Sequence, residues 1–149
     1  MRSILLIAAA VAVAGCSSST STSTGPSDPI VGNWRVSLPA FADSSYFAPS
    51  PFTLSIAKGA GGGYTATYPS LVYHETPSVV IDTYTAGRDS STFSASGTAF
   101  TLRVGAPVAL CVLTIQGTTA GSTAAGTFGV RFGCGPSPAD NGAWTAVKQ

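Results

Sequence analysis

The chain has 149 residues, with 7 Lys and Arg set against 6 Asp and Glu. So even a balance argues against nucleic acid as a partner, because phosphate binding needs a clustered cationic surface, and it leaves no polybasic patch for an anionic membrane. The length suits one domain with a real core and hardly two.

Arg2 and the ten-residue apolar run from Ile4 to Val13 read as the n-region and h-region of an export signal. The run is too short for a permanent span, which takes about 20 apolar residues. It also inflates the mean hydropathy of +0.32, since 13 apolar residues fall within the first 16 positions. Val13-Ala14-Gly15-Cys16 follows. This resembles the lipobox of bacterial lipoproteins, a pair of small residues before an obligatory Cys. The resemblance implies that residues 1–15 are a signal peptide cut off before Cys16, that diacylglycerol joins the Cys16 sulfur, and that the new amino group is acylated. Two acyl chains anchor stably where one is marginal. The partners implied are membrane lipid and the lipoprotein processing and sorting machinery. The family's sorting rule retains proteins with Asp after the Cys in the inner membrane. Ser17 therefore points to the outer membrane, facing the periplasm, as the address within the bacterial cell envelope. Residues 17–29, SSSTSTSTGPSDP, hold no apolar side chain and cannot offset their ordering entropy by burial. With Cys16 they make a tether, residues 16–29, spanning roughly 20 Å on average.

From Ile30 to Gln149 no stretch free of both Gly and Pro exceeds nine residues, which leaves little room for helices. Apolar residues alternate instead: Trp34, Val36 and Leu38; Phe52, Leu54 and Ile56; Phe100, Leu102 and Val104. Further strands are expected at 64–68, 71–75, 79–85, 91–95, 108–116, 126–134 and 143–148. Lys58 to Tyr64, with four glycines between, reads as a hairpin loop. No crossover helix for parallel pairing is present. The expectation is an all-β domain over residues 30–149, an antiparallel up-and-down barrel of about eight strands, with a two-sheet sandwich as the alternative.

Gly32-Asn33-Trp34 opens the first strand and resembles the Gly-x-Trp signature of lipocalins and other calycin barrels. In that family the Trp plugs one end of the barrel under a late Arg, a part open here to Arg131 or Arg103. The family's Thr-Asp-Tyr element and C-terminal helix have no counterpart. Gly142-Ala143-Trp144 repeats the pattern in the last strand.

Catalytic chemistry finds little to work with. His74 is the single histidine, and beside Glu75 and ahead of Pro77 it reads as a solvated strand end rather than the base of a triad. Ser55-x-x-Lys58 matches the penicillin-binding motif only on paper, because positions three apart on a strand face opposite ways. The glycines of residues 59–63 have no following Gly-Lys-Ser/Thr for a phosphate cradle. No ligand spacing suits a metal, and nothing calls for a cofactor. The expectation is a protein that is not an enzyme.

Binding is the remaining class. An eight-stranded barrel is wide enough to be filled or to hold one small ligand. Trp34, Tyr64, Tyr68 and Tyr84, with Tyr73, are the candidates to line such a pocket. The expected role is an envelope lipoprotein that binds a small apolar ligand or an envelope component. The alternatives are a protein-interaction module, as in the membrane-bound lysozyme inhibitors that are also small lipobox barrels, or a structural spacer. Cys111 and Cys134 remain once Cys16 is lipidated, and export favours their oxidation. A hairpin turning near Gly121-Ser122 is expected to set Cys111 opposite Cys134, Leu113 opposite Phe132 and Ile115 opposite Val130.

Overall fold

A computed structural model describes residues 28–85, 91–105, 111–131 and 141–149. The alternation drives eleven strands: β1 (Gly32–Ser37), β2 (Tyr46–Ala48), β3 (Phe52–Lys58), β4 (Tyr64–Thr67), β5 (Leu71–Thr76), β6 (Val79–Tyr84), β7 (Ser91–Ser96), β8 (Ala99–Val104), β9 (Val112–Ala120), β10 (Thr123–Arg131) and β11 (Asn141–Lys148). Eight of them form one antiparallel sheet in the order β4-β3-β1-β11-β10-β9-β8-β7. Neighbours in this sheet follow chain order except where the first strand meets the last, so it is an up-and-down meander curled into a nearly closed barrel. The expected fold class is the one observed.

Closure comes from two seams of different kinds. β1 pairs with β11, Trp34 standing opposite Lys148 and Ser37 opposite Thr145. Between β4 and β7 the described residues form no ladder. There Tyr64 and Phe93 meet edge to face, 6.0 Å between ring centroids. The inward residues of these two strands, Tyr64, Ala66, Phe93 and Ala95, are only partly buried, so this seam is held by side chains alone.

The remaining strands, β2, β5 and β6, make a separate three-stranded sheet. Residues 71–75 and 79–85 were expected in the barrel wall, but they leave it as a hairpin between β4 and β7. β2 was not anticipated. Three residues followed by Pro49 and Pro51 give no periodic signal; the strand pairs with β5, and its Phe47 packs on Tyr73, 5.0 Å between centroids.

The ladders place the short turns, residues 59–63, 97–98 and 121–122, at one end of the barrel together with the start of β1. The longer connections, including those that carry β2 and the β5–β6 hairpin, leave from the opposite, distal end.

One register differs from expectation. Gly121-Ser122 forms a two-residue turn with Gly121 at φ 63°, and Ala120 pairs with Thr123. Leu113 therefore faces Val130 and Ile115 faces Phe128, each partner two residues earlier than expected. The tight turn fixes the register, and β9 and β10 run right up to it through residues that look like loop. Cys111 is buried and disulfide-bonded. Cys134 lies outside the described residues, and the corrected register removes the argument that set it directly opposite Cys111.

Side chains fill the barrel. Trp34, Leu54, Leu102, Leu113, Ile115, Phe128 and Trp144 are all fully buried. Trp144 lies across the neighbouring strands, its Nε1 donating to the carbonyls of Gln116 (3.0 Å) and Thr127 (3.1 Å) and its rings tilted on Phe100. This position requires glycine beneath it. A Cβ on Gly117 would stand 2.6 Å from the indole, and one on Gly126 would collide with the Gln116 carbonyl oxygen and sit 2.5 Å from the Gly117 Cα. Gly126→Ala should therefore cost about 3 kcal/mol, the upper part of the range for an overpacked interior. A loss below about 0.5 kcal/mol in urea melts would show that the strands can part freely. Trp34→Ala should cost about 3–5 kcal/mol through the cavity it leaves, and a loss under about 1 kcal/mol in the same melts would contradict its place in the core.

Candidate functional site

At the turn end the polypeptide is fastened to the barrel floor as it arrives. Asp28 accepts hydrogen bonds from the Tyr64 hydroxyl (2.5 Å), the Lys58 ammonium (2.9 Å) and the Ile30 N–H (3.2 Å). Ile30 is fully buried, and its carbonyl accepts from the Trp34 indole at 2.8 Å. Lys148 spans the same spot: its Nζ reaches the Pro29 carbonyl at 3.3 Å and lies 5.3 Å from the centroid of the Trp34 ring. A Cβ on Gly32 would stand 2.7 Å from the Lys148 side chain, and Gly32 has φ 134°. The Gly of Gly-x-Trp thus clears the path for the cation. The cation over Trp34 is Lys148, not Arg131 or Arg103, whose side chains are exposed on the outer wall.

The Asp28 carboxyl is drawn down to about 2, first by the Tyr64 hydroxyl and then by Lys58; Lys58 in turn is raised by Asp28.

At the distal end the small sheet sits over the barrel through an aromatic cluster. Phe41 and Phe128 are 4.8 Å apart, Phe47 and Tyr84 5.9 Å, and Phe41 and Tyr73 6.0 Å. The Tyr73 hydroxyl donates to Ser45 Oγ (3.1 Å), which donates to Asp43 (2.6 Å). Ser45 is buried and Asp43 is exposed, so this relay runs from the buried Tyr73 hydroxyl out to the surface. Two donations from Ser45, side chain and backbone, lower the Asp43 carboxyl.

The four residues expected to line a pocket do not converge. Trp34 and Tyr64 belong to the turn end, Tyr84 to the distal cluster, and Tyr68 is buried just beyond β4. Each serves packing or the Asp28 clamp. Three hollows open on the described surface: one of about 370 Å³ between β1 and β11, one of about 260 Å³ across β9, β10 and β11, and one of about 220 Å³ on the β7–β8 hairpin, lined by Ala95 and Phe100. His74 is half-buried within β5, stacked on Tyr46 at 4.8 Å and flanked by register shifts in its pairing with β6; Glu75 beside it is exposed. Ser55 and Lys58 lie on strand β3, and Lys58 is engaged with Asp28. The glycines of residues 59–63 close the β3–β4 hairpin, the Gly59 N–H donating to the Gly63 carbonyl at 2.8 Å. Among the described residues no group of three His, Cys, Asp or Glu is placed to hold a metal ion. Cys16 also lies outside the described residues.

Sequence reasoning missed Asp28 and Lys148. Asp28 sits in a polar run with nothing to mark it, and Lys148 shares a strand with Trp144, not with the Trp it covers. Set against protein-family models, curated proteins and solved structures, the chain matches none.

Asp28 titrates lower in the folded chain than its ordinary 3.8. The stability it contributes is therefore complete above that value and is lost as pH falls through about 2. Asp28→Asn should lower stability near neutrality and flatten the acid limb of the pH–stability curve between about 4 and 2. An unchanged acid limb in denaturant melts would show that the clamp is not formed in solution.

Proposed function

We propose that this chain is a lipid-anchored envelope module of calycin-like build that works through its outer surface and distal end, not through a ligand held inside. The anchor rests on the export signal and the Val13-Ala14-Gly15-Cys16 lipobox. The filled interior is the observation that carries the surface reading. Aromatic residues occupy the distal end, Trp144 the middle and Trp34 the floor, and the tyrosines that would have served a ligand are committed elsewhere. The tether reaches the barrel at its turn end, where Asp28 is clamped, so the small sheet and the long connections face away from the membrane. This is the arrangement expected of a protein-interaction module.

A lysozyme-inhibitor type of loop finds no support at Lys58 to Tyr64. That hairpin lies at the tether end, and its Lys58 is spent on Asp28. No step of catalysis is assigned to the protein, and no cofactor is called for.

Labelled palmitate should enter the protein in cells, and Cys16→Ser should abolish labelling and leave an uncleaved precursor. Incorporation that survives the substitution would sink the anchor. Native mass spectrometry of the chain extracted gently from its host should then show the polypeptide with its own acyl groups and nothing more. A stoichiometric small molecule beyond those groups would return the function to the barrel interior.

A further inference from the structure

The described surface separates its charges and its apolar residues in the same way. The eight barrel strands carry Arg35, Lys58, Arg103, Arg131 and Lys148 and no carboxylate, whereas the small sheet carries Glu75 and Asp82 and neither Lys nor Arg. The small sheet also projects. Leu71, Tyr73 and Tyr84 at its base are buried, and every residue from Glu75 to Val80 at its tip is exposed. Among the described residues the exposed large hydrophobic side chains are Val79 (44%), Val80 (55%) and Val147 (54%). Two of these stand at the tip. Val147 lies on the outer face of β11, opposite Arg35 and two residues from Thr145. Thr145 in turn lines the 370 Å³ hollow, together with Ser37, Leu38, Pro39, Pro51 and Ala143.

We propose that a second copy of this chain seats the tip of its β5–β6 hairpin in this hollow. Pro77, Val79 and Val80 supply the apolar insert that Leu38, Pro39, Pro51 and Ala143 receive. Glu75 on the tip approaches a wall whose near charge, Arg35, has no acidic neighbour among the barrel strands. Charge complementarity selects the second copy as occupant, since the chain carries both halves of the match. The two surfaces differ, so the contact is head-to-side. Such contacts are not limited to pairs and generate a ring or an open row according to whether the rotation between copies closes. One hairpin tip covers less than the roughly 1,000 Å² of a stable interface, so each contact is weak and the assemblies depend on crowding. The contact is independent of the anchor, and its test does not require lipidation.

Val80 and Ala143 are both exposed, so substitutions there leave the fold intact. Full-length Val80→Cys and Ala143→Cys variants, each in a Cys16→Ser background that removes the unlipidated Cys16 thiol and each purified singly, are mixed under a mild oxidant and run on a non-reducing gel beside the otherwise wild-type chain. The mixture should give about tenfold more disulfide dimer than either variant alone, reflecting the raised local concentration of a docked pair. The double variant should give a ladder of higher oligomers. Dimer from Val80→Cys alone at the level of the mixture would mean tip-to-tip pairing along β6, and dimer from Ala143→Cys alone would mean wall-to-wall packing. Either result overturns the proposal, as does a mixture no richer in dimer than the wild-type chain.

Discussion

The pairing of the first strand with the last organises everything else in this domain. A meander of short strands has two free edges, and an exposed edge invites pairing with other chains. Joining β1 to β11 turns the two ends of the chain into neighbours inside the sheet and moves the remaining break to β4 and β7. The same pairing brings Lys148 over Trp34 and puts Trp144 on the strand next to Trp34. The floor of the barrel is thus assembled from residues more than a hundred positions apart. It forms only when the sheet is complete, which ties a large part of the core to a contact of high sequence separation.

The weak seam follows from the same geometry. β4 has four residues and no ladder beyond it among the described strands, because the chain departs there to build the small sheet. Tyr64 compensates in two directions. Its ring meets Phe93 across the break, and its hydroxyl holds Asp28. One side chain therefore joins the side-chain seam to the segment where the tether arrives. Strands joined by rings alone open more readily than strands in a hydrogen-bonded ladder, so local opening of this barrel begins between β4 and β7.

Most of the fold was legible because alternation is a strong signal where the alternating residues are large. Phe52, Leu54 and Ile56, or Phe100, Leu102 and Val104, mark their strands and their inward faces without help. The signal fails where the inward residue is small for a reason that lies elsewhere. Gly117, Thr119 and Ala124 are inward positions of β9 and β10, yet they read as loop; Gly117 is small because the Ala125 carbonyl and Trp144, on neighbouring strands, leave no room for a side chain. The register error has the same root. Matching cysteines and apolar faces permitted one pairing, but the two-residue turn at Gly121-Ser122 dictated another two residues away. The site was less legible than the fold. Trp34 was visible as a core plug, but the cation above it comes from a lysine with no motif, and the tyrosines were read for chemistry when they serve geometry.

The filled interior bears directly on the proposed envelope role of this domain. A lipid-anchored binding cup must keep an internal volume dry and open. This barrel instead uses its interior to hold eight short strands made largely of Ser, Thr, Ala and Gly, residues that contribute little burial of their own. Two tryptophans and a set of phenylalanines supply the buried area that such strands lack. With the core so committed, variation in function is left to the outer wall and the distal connections, where substitutions do not disturb packing. The division of labour is between a floor clamped by Asp28 and Lys148, which fixes where the tether meets the barrel, and a hairpin tip thrust outward at the opposite end. That opposition places the exposed valines of β6 at the end of the domain away from the Asp28 clamp.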